Sequence, residues 1–436
     1  MKTIHSILLA SALAGFSTAE AASLGLTVKP ERDTILKGGP RDTIIQIELK
    51  APDSKVKRKT PLNLSLVLDR SGSMAGAKLE KAKQAASVAV DQLSSEDIFS
   101  LVIYDNEASV LIPPRKVEDK EQLKRQIATI ETGGSTALYA GVEKGAAQLR
   151  KYLDSAKVNR VILLSDGLAN VGPSSPGDLS KLGQELRKEG LSVSTVGLGD
   201  DYNEDLMTAL AESAQANYYY VKDAEKLPEI FVEELGTVQS IAARNVSLKI
   251  SLPDGVKPRG VLGEDELTFQ GQSITIPLAE FSSSQARRFL ISCEAPTGDD
   301  DEIALARVEL TYDDAEGRPV SENQTAQVRQ SEDKVAVEKS IQAEVVSQTA
   351  ITRNRLAKEE AVRLADAGRP KEAAQVLISQ ASANAALPAI AQSQLLLDED
   401  AELKQKAEEL ENSGNLSKGS RKAIQYQNYQ DKKQKR

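Results

Sequence analysis

Leu64-Ser65-Leu66-Val67-Leu68-Asp69-Arg70-Ser71-Gly72-Ser73-Met74 is a short apolar run that passes directly into a polar, hydroxyl-rich turn. After it, Leu79, Ala82, Ala86, Val90 and Leu93 recur every three or four residues, the spacing of one buried helix face. Strand, ligand-rich turn and helix in this order make one unit of an open α/β sheet, and such sheets bind ligands in loops at the carboxyl ends of their strands. Working outward, apolar runs predict strands over 63–68, 99–104, 161–164, 192–197 and 218–221, with a short edge strand near 109–112. Helical spacing between them predicts helices over 77–93, 120–130, 137–153, 179–189, 203–214 and 227–235. Residues 62–235 therefore read as a doubly wound, mainly parallel, Rossmann-like sheet of six strands, covered by helices on both faces.

The flanks have a different character. Leu24-Leu26-Val28 and Ile44-Ile45-Ile47-Leu49 predict strands separated by the turn Lys37-Gly38-Gly39-Pro40, but this unit is too small to fold alone. Strand patterns return beyond Gly236, over 245–252, 267–269, 273–276, 289–293 and 304–312. Each block supplies only part of a sandwich, so residues 22–61 and 236–330 are expected to form one discontinuous β-sandwich into which the α/β domain is inserted. From 331 to 436 the apolar spacing becomes helical, broken at Ala367-Gly368-Arg369-Pro370 and at Pro388, which predicts a helical hairpin or short bundle. The last twenty residues, ending Asp431-Lys432-Lys433-Gln434-Lys435-Arg436, are strongly basic and are expected to be a solvated tail, with contact to an acidic partner or an anionic surface as the alternative.

Residues 1–21 carry Lys2, an apolar run from Ile7 to Phe16 and the small-x-small site Ala19-Glu20-Ala21, the build of a cleavable signal peptide. Export to a periplasm or secretion is the expectation, with no transmembrane segment after cleavage. The formal charge of −9 argues against a general nucleic-acid binder, which needs basic surface to displace counterions. The one histidine, His5, lies in the signal, so imidazole-based triads and histidine-ligated zinc sites have no local base or ligand. The one cysteine, Cys293, permits no internal disulfide; its apolar surroundings read as a buried strand position.

Asp69, Ser71 and Ser73 offer a carboxylate and two hydroxyls within five residues, and Gly72 permits the tight turn that aims them at one centre. A hard cation needs further oxygens. Thr132-Gly133-Gly134-Ser135-Thr136, before the third helix, and Ser165-Asp166-Gly167, after the strand 161–164, lie at the same sheet edge and can supply them. Asp105 and Asn106 also lie there but read better as turn formers. The bland alternative is that Asp69 and the serines cap the following helix.

Taken together, DxSxS, GGST and SDG resemble the metal-ion-dependent adhesion site of von Willebrand factor A (VWA) domains. The resemblance implies a non-catalytic binding protein. Ser71, Ser73 and Thr136 would offer hydroxyl oxygens to the ion, while Asp69 and Asp166 would act directly or through water. Magnesium is the expected ion, with manganese or calcium as substitutes, and a protein partner would supply an exposed Asp or Glu to the open coordination position. Beta-rich segments on both sides of the domain further resemble inter-alpha-trypsin inhibitor heavy chains and bacterial relatives.

Two other classes stand beside this reading. One is a metal-independent structural subunit of an envelope or surface assembly. The other is a magnesium-dependent phosphatase with Asp69 as nucleophile, but Ser71 stands where haloacid-dehalogenase-type enzymes carry a second aspartate.

Overall fold

The computed structural model describes residues 23–53, 60–154, 156–264, 266–278, 280–296, 300–388, 391 and 393–433. The expected signal peptide, with His5, lies outside the described residues. The chain opens with β1 (Gly25–Pro30), β2 (Thr34–Leu36) and β3 (Asp42–Lys50). The α/β part follows as β4 (Leu62–Asp69), α1 (Ala77–Gln92), β5 (Ile98–Tyr104), β6 (Ala108–Lys116), α2 (Lys120–Ala128), α3 (Leu138–Leu149), β7 (Val158–Ser165), α4 (Pro176–Lys188), β8 (Ser192–Leu198), α5 (Glu204–Ser213), β9 (Tyr218–Val221) and α6 (Leu227–Gln239). Then come β10 (Ile241–Ser251), β11 (Lys257–Val261), β12 (Ser273–Pro277), β13 (Glu280–Ser282), β14 (Ala286–Glu294), β15 (Glu302–Asp314) and β16 (Pro319–Ser331). The chain finishes in α7 (Lys334–Lys339), α8 (Ala343–Asp366), α9 (Pro370–Ala385), α10 (Gln394–Ser413) and α11 (Lys418–Lys433).

Among the described residues the α/β sheet has six strands in the order β6-β5-β4-β7-β8-β9, parallel except for β6, which runs antiparallel to β5. Beta4 sits inside this sheet and every one of its residues is buried. Its side chains alternate between the two faces: Leu62, Leu64, Leu66 and Leu68 join the core under α1 and α6, and Val67 joins the core under α3, α4 and α5. Helix α3 lies close on the second face because Gly145 faces it, where a methyl would come 2.5 Å from Val67 Cγ2. This close approach brings the segment preceding α3 to the carboxyl end of β4.

The strands on either side of the insertion form two packed sheets, ordered β1-β3-β14-β11 and β12-β10-β15-β16-β2. Beta3 pairs along its length with β14, Ile47 opposite Phe289 and Ile45 opposite Ile291, so segments far apart in sequence complete one sheet. Ile45, Ile47 and Leu49 share a core with Phe289, Ile291, Leu248, Ile250, Val308 and Leu310. Cys293 lies in this core, fully buried, and burial pushes its thiol up to about 12. On the outer face, Ile44 and Leu290 are covered by Val345 of α8.

Beta11 and β13 are short strands that the sequence pattern does not predict, and three further departures bear on the packing. Residues 267–269 form no strand; Leu267 and Phe269 pack onto the sandwich core from a loop, and only Gln270 makes an isolated bridge to Ser273. Beta16 had no visible pattern, because only Val320, Ala326 and Val328 among its side chains are large or apolar enough to mark a face. It is held by backbone pairing to β15.

The third departure is the basic C-terminal stretch, whose described part, through Lys433, is a packed helix and not a solvated tail. Helix α11 returns to the α/β domain, where Tyr429 is buried edge-on against Tyr218, ring centroids 5.5 Å apart at 85°. The Tyr429 hydroxyl donates to the Ala216 carbonyl at 2.7 Å. Arg421 pairs with Glu204, with Asp205 at 3.1 Å and with Asp366 at 2.8 Å. Lys422 pairs with Glu204 and donates to the Tyr202 carbonyl at 2.7 Å. The positive charge that reads as solvated is answered by the acidic first turn of α5, and Tyr426 and Tyr429 give the helix a buried face. Residues 434–436 lie outside the described residues.

Two outcomes follow from this packing. Tyr429→Ala should release α11, seen as trypsin cleavage at Lys418, Arg421 or Lys422 under conditions where the unaltered protein resists it. Cys293 should stay unlabelled by a thiol reagent at pH 8 in the native protein and react fully in urea.

Candidate metal centre

The turn after β4 is shaped by backbone bonds to its neighbours. Arg70 donates its amide to the Tyr104 carbonyl at 3.0 Å, Gly133 donates to the Arg70 carbonyl at 2.6 Å, and Gly72 donates to the Gly134 carbonyl at 2.8 Å. The loop after β4 and the loop before α3 are thus stitched together in both directions. Ala137 in turn donates to the Asp105 carbonyl at 2.7 Å, which ties in the loop after β5.

Asp69 has no exposed surface. Its Oδ1 accepts from the Ser71 amide at 2.8 Å, and its Oδ2 accepts from Ser165 Oγ at 2.9 Å and Tyr104 OH at 3.3 Å. Burial pushes its carboxyl up to about 6, against the lowering effect of its hydrogen bonds from Ser71 and Ser165. A buried carboxylate answered by neutral donors alone favours a positive charge beside it.

Ser71 Oγ lies 3.1 Å from Ser73 Oγ, and Ser73 Oγ donates to Asp166 Oδ1 at 2.6 Å. Asp166, also fully buried, receives Lys78 Nζ on its other oxygen at 2.6 Å. Thr136 is nearly buried and closes the group from the third loop. A methyl on Gly167 would stand 3.1 Å from Ser73 Oγ and 3.5 Å from Thr136 Oγ1, so both hydroxyls crowd the same glycine. The structure therefore brings Asp69, Ser71, Ser73, Thr136 and Asp166 together at the carboxyl edge of the sheet.

Helix capping does not account for this arrangement. Helix α1 starts at Ala77 with Gly76 as its N-cap and no side-chain cap bond, and Ser71 makes none to the short 3-10 turn Gly72–Met74. Asp105 and Asn106 act as supports. Asp105 accepts the Glu107 amide at 3.2 Å and pairs with Arg70 at 2.6 Å, and Asn106 Oδ1 accepts the Ser135 amide at 2.9 Å.

Sequence reasoning missed Tyr104, Lys78 and Asn170, and quoted Ser165 only as part of a motif. Asn170 Oδ1 accepts the Thr136 amide at 2.8 Å, and the Asn170 amide donates to the Thr136 carbonyl at 3.2 Å. Lys78 lies one turn past the hydroxyl loop, a position from which a long side chain reaches back over the helix start. That was the signal available for it.

The donor set fits a hard divalent cation: three neutral hydroxyls and two carboxylates, one of them already paired with a lysine. Among the described residues no three Asp, Glu, His or Cys side chains cluster in the manner of a zinc or all-carboxylate calcium site.

A family model for the von Willebrand factor type A domain matches residues 63–233. This stretch is a VWA domain. Among curated proteins the chain is 29% identical over 283 residues to the Synechocystis sp. protein sll0103, covering 63% of this chain and 66% of that one. It is 25% identical over 186 residues to human inter-alpha-trypsin inhibitor heavy chain H3, covering 40% of this chain and 21% of that one. The matches thus span less than two thirds of these relatives' own length. Among solved structures, a von Willebrand factor type A protein from Catenulispora acidiphila superposes with a TM-score of 0.64 at 18% identity, over 91% of this chain and 98% of that one. Its coverage extends the likeness of fold beyond the VWA domain to the sandwich and the C-terminal helices.

The glycine at the loop junction offers a direct check. A methyl on Gly133 would overlap Asp105 Oδ2. Gly133→Ala should lower stability by about 1–3 kcal/mol, read as a lower urea midpoint at unchanged slope.

Proposed function

We propose that this chain is an exported, non-catalytic binding protein that captures a protein partner through a divalent cation held on its VWA domain. The observation that carries this reading is the convergence of Asp69, Ser71, Ser73, Thr136 and Asp166 from three loops onto one point at the sheet edge. VWA domains typically serve protein–protein interaction or adhesion.

Ser71, Ser73 and Thr136 would hold the ion by their hydroxyls. Asp166, with Ser73 on one oxygen and Lys78 on the other, and Asp69, whose Oδ1 holds the turn, would act directly or through water. Magnesium suits this set, with manganese or calcium as substitutes. With few negative charges around it, a bound cation supplies an electrophilic centre for an Asp or Glu carboxylate of the partner. The chain's own part is to pre-arrange oxygens and to hold each loop at a fixed distance, so that little ordering remains to be done on binding.

The exported location rests on the signal-like residues 1–21, and among the described residues no helix is long and apolar enough to cross a membrane. The non-catalytic reading rests on the residue types: Ser71 in place of a second aspartate, and no histidine after His5.

Calorimetric titration of the mature protein with magnesium or manganese should show binding that disappears in an Asp69→Ala, Ser71→Ala double variant with an unchanged circular dichroism spectrum. Equal binding by both proteins, or none by either, would sink the assignment of the ion to these loops.

A further inference from the structure

We propose that the mouth of this site recognises a polypeptide segment in which an Asp or Glu is flanked by a large apolar side chain; the inference rests on the cation-dependent reading above. Leu168 and Val171 follow Asp166 in the same loop and are 59% and 37% exposed. Leu168 is the most exposed of the large apolar side chains among the described residues. Single exposed leucines are common on protein surfaces and mean little alone. Here the loop that carries these two is held at the site itself.

Ala169, between them, packs onto the core under α3, α4 and α5. Asn170 is clasped to Thr136 by the two hydrogen bonds described above, one in each direction. With both intervening residues fixed, Leu168 and Val171 stay out in solvent rather than folding onto the domain, at a set distance from a cation-site hydroxyl. Apolar surface kept wet in this way is an unfulfilled contact, and covering it stabilises a complex.

The proposed cation would select the acidic half of the ligand, and the charges beside it are arranged not to oppose that. Lys78 neutralises Asp166 while a third of its side chain remains exposed, and Arg70, similarly exposed, neutralises Asp105. Two carboxylates near the site are thus cancelled by partly exposed cations, which lowers repulsion toward an incoming acid. A small carboxylate would satisfy the centre but leave Leu168 and Val171 uncovered. A polypeptide acid with an apolar neighbour meets both.

The test uses the mature chain and a Leu168→Gln, Val171→Thr variant, each first titrated with manganese to establish equal cation affinity. Both are immobilised in magnesium, exposed to a phage library of random dodecamers, and eluted with EDTA. The expected result is that peptides released from the unaltered protein carry Asp or Glu with Leu, Ile, Phe or Val within two positions. The variant should keep the acidic preference and lose the apolar one. A synthetic peptide of the selected sequence should bind the variant about tenfold more weakly. An acidic preference without an apolar neighbour, or the same peptides from both proteins, overturns this proposal and leaves the cation reading intact. No acidic peptide released by EDTA from the unaltered protein overturns both.

Discussion

A carboxylate at the end of a strand that water cannot reach has to be answered by its neighbours, and Asp69 imposes that demand here. Beta4 is buried on both faces because helices cover the sheet on each side, so its last side chain meets only what adjacent strands and loops bring. Tyr104 arrives from β5, Ser165 from β7 and the Ser71 amide from the turn itself. Each donor is neutral, which leaves a buried charge that the proposed cation at the edge of the sheet would answer. The stitching of Arg70 to Gly133 and of Gly72 to Gly134 then fixes how far apart the hydroxyls can stand.

The sheet and the three loops were legible because they follow from local patterns. Buried parallel strands read as uninterrupted apolar runs, as in Val161-Ile162-Leu163-Leu164, and the ligand residues follow them at once. The sandwich was legible at the level of its division, since neither flank could bury its apolar residues alone. What remained hidden depends on tertiary partners. Beta16 carries few apolar residues and exists because β15 offers a free edge. Lys78 and Asn170 look like ordinary surface residues until the fold places Asp166 and Thr136 beside them.

The last helix shows how net charge can mislead. Its lysines and arginine dominate the composition of the segment, yet Tyr426 and Tyr429 decide where it goes, by packing on Tyr218. Arg421 then joins α5 to Asp366 at the end of α8, so the helical region and the VWA domain share one guanidinium. Paired in this way, basic residues mark an internal contact between domains, and the segment contributes little free positive surface.

The pairing of β3 with β14 has a consequence for how the molecule is made. Beta3 is synthesised early, but its partner strand emerges only after the whole VWA domain and the first strands beyond it. The VWA domain, whose strands and helices alternate along a continuous stretch, has what it needs to fold in the meantime. The first strands must wait as open edges, carrying Ile44, Ile45, Ile47 and Leu49 without a neighbour to cover them. Closure of the sandwich therefore joins the two ends of the inserted domain through contacts of large sequence separation, the kind that carries the greatest loop-closure cost.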